Sequence, residues 1–237
     1  MTDELFREDA TLRECSATVL AQAEGGVILD RTVFYPLGGG QAGDAGWLQL
    51  AAGGRVEIVD ARKSKEHPGA VLHLLAADVN LALLAPGTPV TAQIDWARRH
   101  RHMRFHTSTH LLCALVPHPV DGCSITAGYA RLDFHMTEPL DKEALTTGLA
   151  RLVAEAHAVR HRWIAEAELD ANPSLVRSMS VQPPRGLGRV RVLEIEGVDL
   201  QPCGGTHVAN TAEIGAVLVT KIEKKSAMTR RVVLGFA

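Results

Sequence analysis

Two short motifs, far apart in the chain, set the strongest condition on how it can fold. His106-Thr-Ser-Thr-His110 lies in a stretch that reads as a helix. A spacing of four puts both imidazoles on one helix face, about one turn apart. Cys203-Gly-Gly-Thr-His207 follows Pro202 in a glycine loop. Gly204 and Gly205 let the backbone turn sharply there, so the thiolate and the imidazole can converge. Three imidazole nitrogens and one sulfur suit tetrahedral zinc. His106, His110, Cys203 and His207 are therefore expected to hold one Zn2+ per chain, and the fold has to bring helix and loop together. A chance His pair is the competing reading in a chain with 11 His, but neither motif has a charged residue inside it. HTSTH also lacks the glutamate of HExxH, which removes the usual general base of a metallopeptidase. Four protein ligands close a tetrahedron, as in structural zinc, whereas catalytic zinc keeps a position open. The residues alone leave that tension standing.

Around these motifs the pattern reads as α+β. Residues 15–95 look β-rich: Ala17–Ala21, Val27–Leu29, Trp47–Leu50, Val56–Val59 and Val90–Ile94 are short apolar runs divided by Gly, Pro and Asp. Ala85-Pro86-Gly87-Thr88-Pro89 is a turn cluster that predicts a domain boundary, giving a β-rich domain over 1–90 and a metal-binding domain over 91–237. Trp96–Val116 predicts a helix with Asp95 as N-cap and Pro117 as stop. Apolar residues near a 3.6 period predict a second helix from Asp141 to about Ala167. Ala130–Met136, Ile214–Ile222 and Arg231–Phe236 read as strands. Arg189–Ile195 alternates as an antiparallel strand with one wet face. Helices interspersed with hairpin-like strands favour α+β over a parallel doubly wound sheet.

A formal net charge of −2 excludes a basic wrapper around nucleic acid, so any RNA contact has to come from a local patch. The acidic, polar start predicts no signal peptide. No run of 18 apolar residues is present, so no membrane span is expected. Four cysteines without a CxxC pair read as reduced thiols in a cytosol. Cys15, Cys113 and Cys123 read as buried or incidental thiols.

The segment Phe34-Tyr-Pro-Leu-Gly-Gly-Gly-Gln-Ala-Gly-Asp-Ala-Gly46 is the other dense feature. Gly38, Gly40 and Gly43 fit GxGxxG, but a dinucleotide fingerprint opens a helix, and here the glycines run into a strand-like Trp-Leu-Gln-Leu. The segment reads either as a plain turn or as a loop that brings Gln41 and backbone N–H groups to a ligand. The amide of Gln41 can donate and accept, which suits a hydroxyl or a terminal adenosine.

Taken together, HTSTHLL, CGGTHV and FYPLGGGQAGDAG resemble the signatures of the alanyl-tRNA synthetase editing domain and of its free-standing relatives, the AlaX trans-editing proteins. Arg131-Leu-Asp-Phe is similar to the family's RxDF strand, and Glu213-Ile-Gly-Ala through Arg230-Arg231 to its closing hairpin. HTSTH stands where HTATH is common, and Ser226-Ala-Met-Thr lacks a glycine often found in that hairpin. The glycine motif and the end of the chain near the last strand suggest the medium-length class, without the synthetase's aminoacylation core. The resemblance implies an N-terminal β-barrel-like domain and a C-terminal α+β editing domain with an antiparallel sheet and long helices. It implies a cytoplasmic, zinc-dependent deacylase acting in trans on mischarged tRNA(Ala), namely Ser-tRNA(Ala) and possibly Gly-tRNA(Ala). His106, His110, Cys203 and His207 carry over as zinc ligands and Gln41 as the glutamine of the active site.

On that reading Gln41, Thr32 and Thr107 are candidates for recognising the serine hydroxyl. Phosphate contacts are expected from Arg98, Arg99, Arg101 and Arg104, and from a second group of Lys221, Lys224, Lys225, Arg230 and Arg231. A deacylase for another misacylated tRNA, a non-catalytic zinc-stabilised RNA-binding module and a general metallohydrolase are the alternatives.

Overall fold

The computed structural model describes residues 1–179, 186 and 188–237. It is α+β and divides into two compact units, one of residues 1–38 and 42–100, the other of residues 39–41 and 101–237. No helix among the described residues is long and apolar enough to cross a membrane.

The first unit contains β1 (Asp3–Glu4), β2 (Glu14–Ala23), β3 (Gly26–Leu29), β4 (Arg31–Thr32), β5 (Gly46–Leu50), β6 (Arg55–Lys63), β7 (Val71–Leu75) and β8 (Pro89–Ile94). Six of them close a barrel in the order β2-β3-β7-β6-β5-β8, while β1 and β4 form a short parallel pair. Alternation fills the interior with Val19, Leu29, Leu48, Val56, Ile58, Ala92 and Ile94, joined by Phe34. The turn cluster at 85–89 precedes the closing strand β8, which pairs with both β2 and β5. The boundary expected at residue 90 therefore falls inside a barrel strand, and the compact unit runs on to His100.

Helix α1 (Trp96–Leu115) starts in the first unit and from Arg101 onward belongs to the second. Asp95 caps it, its Oδ1 accepting from Arg98 N at 3.0 Å. Its first turn sends Arg99 into the barrel unit, where the guanidinium is fully buried. Arg99 pairs with the equally buried Asp44 and also donates to Val33 O at 2.6 Å and Ala10 O at 2.9 Å.

The second unit continues with β9 (Val120–Ile125), β10 (Ala130–His135), α2 (Lys142–Ala154), β11 (Val159–Ala165), α3 (Glu166–Ala171), β12 (Arg189–Ile195), β13 (Asp199–Pro202), β14 (Val217–Ser226) and β15 (Thr229–Phe236). They form an antiparallel sheet of order β14-β15-β10-β9 and a second of order β11-β12-β13. Helix α2 packs on β14 and buries Leu145, Leu149 and Leu152.

Two expectations are corrected here. The second helix ends at Ala154 rather than near Ala167, because Ala156 takes a positive φ of 56° and Val159–Ala165 pairs with β12. That run contains Val159, Trp163 and Ile164, residues suited to a pleated surface. Strand β12 has no wet face along its centre. It is the middle strand of three, with Val190 and Val192 packed on Ile164 and Leu169, and with Arg191 and Leu193 buried on the other side.

Breaking a buried ion pair by removing one partner leaves an uncompensated charge. Asp44→Ala is expected to lower unfolding stability by about 3–5 kcal/mol, read from urea denaturation. A midpoint equal to that of the unchanged protein would refute the structural weight given to the pair.

Candidate metal centre

The helix and the loop do meet. His106, His110, Cys203 and His207 each offer a ligand atom, and these four atoms lie within 4.8 Å of one another. The three histidines are buried and Cys203 is part-buried. Cys203 Sγ stands 3.2 Å from His207 Nε2 and 3.5 Å from His106 Nε2. A zinc tetrahedron with Zn–S near 2.3 Å and Zn–N near 2.0 Å has edges of about 3.3–3.6 Å, so this donor set fits that ion.

The outer nitrogens support the same assignment. His106 Nδ1 donates to Gln41 Oε1 at 2.8 Å, and His110 Nδ1 to Asp199 Oδ2 at 2.8 Å. His207 Nδ1 stands 3.3 Å from Thr107 Oγ1. An amide or carboxylate oxygen can only accept, so each such partner keeps a proton on Nδ1 and turns Nε2 toward the cluster, where metal binding would displace any proton it carries.

The partners are themselves held. Gln41 Oε1 also accepts from Thr206 N at 3.1 Å, and Gln41 Nε2 donates to Thr206 Oγ1 at 2.9 Å. Gln201 Nε2 donates to both oxygens of Asp199 at 3.0 Å. Thr107 Oγ1 donates to Met103 O at 2.9 Å and accepts from Val208 N at 3.3 Å.

Local sequence explains the close fit. Gly40 takes a φ of +84°, and a side-chain carbon there would lie 2.9 Å from Cys123 Sγ. Glycine lets Gly40 O accept from Ile125 N at 2.7 Å, which seats Gln41 beside His106. At Gly205 an added carbon would lie 2.2 Å from His106 Cε1, so only glycine admits this approach of loop to helix. Arg191 anchors the loop by its carbonyls, donating to Cys203 O at 2.8 Å and Gly205 O at 3.2 Å.

Charges are arranged for ligation. Burial opposes the Cys203 thiolate, but the imidazoles of His106 and His207 outweigh it and hold the thiol well below its ordinary value. Burial, reinforced by His106, holds His207 well below the usual imidazole range, hence neutral. For His110 burial acts downward, yet the hydrogen bond to Asp199 and the nearby Cys203 lift it to about 10. A carboxylate behind an imidazole raises its basicity as a ligand in this way. Cys113 and Cys123 stay thiols, each pushed up to about 12 by burial, and neither joins the cluster.

The remaining predicted residues divide. Gln41 lies at the cluster, but its oxygen is engaged by His106 and Thr206, so it positions a ligand rather than presenting a free amide. Thr107 likewise supports His207. Thr32 lies buried in the barrel unit, hydrogen-bonded to His73 Nε2 at 2.7 Å and accepting from Phe34 N. His73 is driven down to about 4 by burial.

Arg99 is paired with Asp44 away from solvent. Arg230 is buried and donates to Ser226 O, Ala227 O and Thr137 O, closing the hairpin that lacks a glycine. Arg231 is held by Asp133 at 2.7 Å and 2.8 Å, and Arg131 joins the same carboxylate. Arg104 donates to Ile214 O and stacks over Phe236 at 3.8 Å, while Arg98 donates to Gly43 O. Lys221 pairs with Glu223. Arg101 is exposed and donates to Ala127 O at 2.5 Å, and Lys224 and Lys225 are exposed.

Asp199, Thr206 and Arg191 were not legible as site residues. Asp199 stands four residues before Cys203, but no motif marks it; only the sheet brings it to His110.

Asp199→Asn is expected to weaken zinc binding about 10–100-fold in a competitive chelator titration. Gly205→Ala is expected to abolish stoichiometric zinc, since the methyl group occupies the place of His106. Full zinc content in both variants would refute this arrangement.

The comparisons agree with the geometry. Residues 190–233 match the model for the threonyl and alanyl tRNA synthetase second additional domain, and residues 7–98 the model for class II (A) tRNA synthetases. The chain is 32% identical to an alanyl-tRNA editing protein AlaX-M of Methanosarcina mazei, over 98% of this chain and 95% of that protein. It is 31% identical to the AlaX-M of Saccharolobus solfataricus, over 98% of both. It is also 34% identical to an alanine–tRNA ligase of Metallosphaera sedula, over 94% of this chain but 25% of the ligase. On this similarity, carried across nearly its whole length, the chain belongs to the AlaX-M family of alanyl-tRNA editing proteins.

Proposed function

We propose that this protein is a zinc-dependent aminoacyl-tRNA deacylase that removes serine or glycine from mischarged tRNA(Ala). The observation that carries the reading is the cluster of three imidazoles and one thiolate, each imidazole backed by an oxygen acceptor, in a chain of the AlaX-M family. Matches spanning 95–98% of the AlaX-M proteins support action in trans, and the cytosol as its compartment belongs to the same reading.

The chemistry has a physical rationale. A pocket built for alanine rejects serine by only about 10²-fold, so mischarging calls for a second site. A site that hydrogen-bonds the serine hydroxyl can spare alanine, which would leave polar groups unpaired. A zinc ion held by these residues would supply a positive charge that orients and polarises the aminoacyl group. Gln41, Thr107 and Asp199 hold the imidazoles in place, so the site is preorganised. The ester is already activated, so correct positioning of a water against it needs no enzymic nucleophile. Arg101, Lys224 and Lys225 are the exposed cations offered for phosphate contact.

The closed four-ligand set favours one second reading, a zinc-stabilised RNA-binding module without catalysis. The two separate in one experiment. Purified protein is expected to deacylate Ser-tRNA(Ala), to spare Ala-tRNA(Ala), and to lose activity on chelation while its fold, followed by circular dichroism, survives. Equal rates on both substrates, or none, would overturn the deacylase; unfolding on chelation with no deacylation would favour the module. Reversal of Lys224 and Lys225 to Glu is expected to raise KM for tRNA several-fold and leave zinc content unchanged; an unaltered KM would remove them from the interface.

A further inference from the structure

The sheet face that supports the metal cluster extends beyond it. Trp163 of β11 pairs with Arg191 of β12. One residue past β13, Cys203 N donates to Arg191 O at 3.1 Å, continuing the register in which Pro202 faces Val192. Cys203, Arg191 and Trp163 therefore form one row across the sheet, and residues in such a row share a face. With strands about 4.8 Å apart, the Trp163 backbone stands about 10 Å from that of Cys203.

Arg191 spans the inner half of the row through its bonds to Cys203 O and Gly205 O. The outer half is open. Strand β11 is the edge strand, and Trp163 is 44% exposed. The Arg189 guanidinium lies 4.6 Å from the centroid of its ring. His161, two residues along on the same face, is also exposed, and burial together with Arg191 holds its imidazole below the ordinary value.

An exposed indole beside guanidinium groups, on the sheet that carries a metal ligand, has the chemistry of a platform for single-stranded nucleic acid. Aromatic rings stack on any base, and adjacent cations meet the backbone phosphates. We propose that Trp163 stacks a base of the single-stranded 3′ end of tRNA just before its aminoacylated terminal nucleotide, with Arg189 against the adjoining phosphate. Its place in the row then sets the ester-bearing end at Cys203 and the rest of the strand along the β11 edge. This inference rests on the deacylase reading for its ligand. Trp163 acts as a positioning residue, not a catalytic one.

The test uses the full chain and a dye-labelled, uncharged acceptor-stem minihelix, either with a four-nucleotide ACCA overhang or blunt, followed by fluorescence anisotropy. Trp163→Ala is expected to weaken binding of the overhang form about tenfold, to leave the blunt form unchanged, and to be largely rescued in Trp163→Phe. In deacylation it should raise KM and leave kcat within about twofold. Urea unfolding and zinc content should match the unchanged protein. Three outcomes overturn the proposal: overhang binding unaffected by Trp163→Ala, equal loss on the blunt form, or no preference of the unchanged protein for the overhang. A dimer in light scattering that Trp163→Ala dissociates without altering RNA binding would assign the face to a second copy and also overturn it. Because the minihelix is uncharged, the two readings fail separately. RNA binding through Trp163 without any deacylation sinks only the deacylase. Deacylation indifferent to Trp163 sinks only the platform.

Discussion

The close approach of Gly205 to the His106 ring is the constraint on which the centre depends. A backbone can lie against an imidazole only where no side chain intervenes, and the structure leaves no room for one. Two groups hold that contact from either side. Gln41 bridges it, accepting from His106 on the helix and from Thr206 on the loop with the same oxygen. Arg191 draws the loop toward the sheet by its carbonyls. Cluster geometry is thus a property of three segments distant in sequence, joined by buried hydrogen bonds whose loss would leave polar atoms unsatisfied.

The same economy explains why α1 carries so many buried polar side chains. A helix with polar residues all round is normally exposed. Here Thr107, Ser108 and Thr109 return their hydroxyls to carbonyls of their own helix, at Met103, Arg104 and His106. His106 and His110 find partners outside the helix. These bonds, together with the buried Met103, Phe105, Leu111 and Leu112, let this helix run through the interior.

These facts also explain what could be read in advance. The two metal motifs were legible because their geometry is local: four residues on a helix, and four around a glycine turn. Gln41 was legible as a member of the glycine loop, but not its job, since that depends on Thr206 and His106. Asp199 and Arg191 reach the centre through strand register, which no short motif encodes. Arg99 looked like part of a basic patch because charge is visible in a sequence and burial is not; only the barrel reveals Asp44 beside it. The second helix was extended too far because an amphipathic helix and a strand with exposed residues are hard to separate near their junction.

Rigidity around the cluster is uneven, and the unevenness has a direction. Each imidazole is fixed by a bond to its outer nitrogen and sits out of solvent. Cys203 has no such outer anchor: its backbone is pinned on both sides by Arg191, while its sulfur faces the imidazoles. The sheet row from Cys203 through Arg191 to Trp163 begins at a member of the cluster and leads away from it to an aromatic and cationic edge. A centre built only to stabilise the fold has no need of that surface, and its continuity with the metal cluster is the structural ground for treating the two as one binding site.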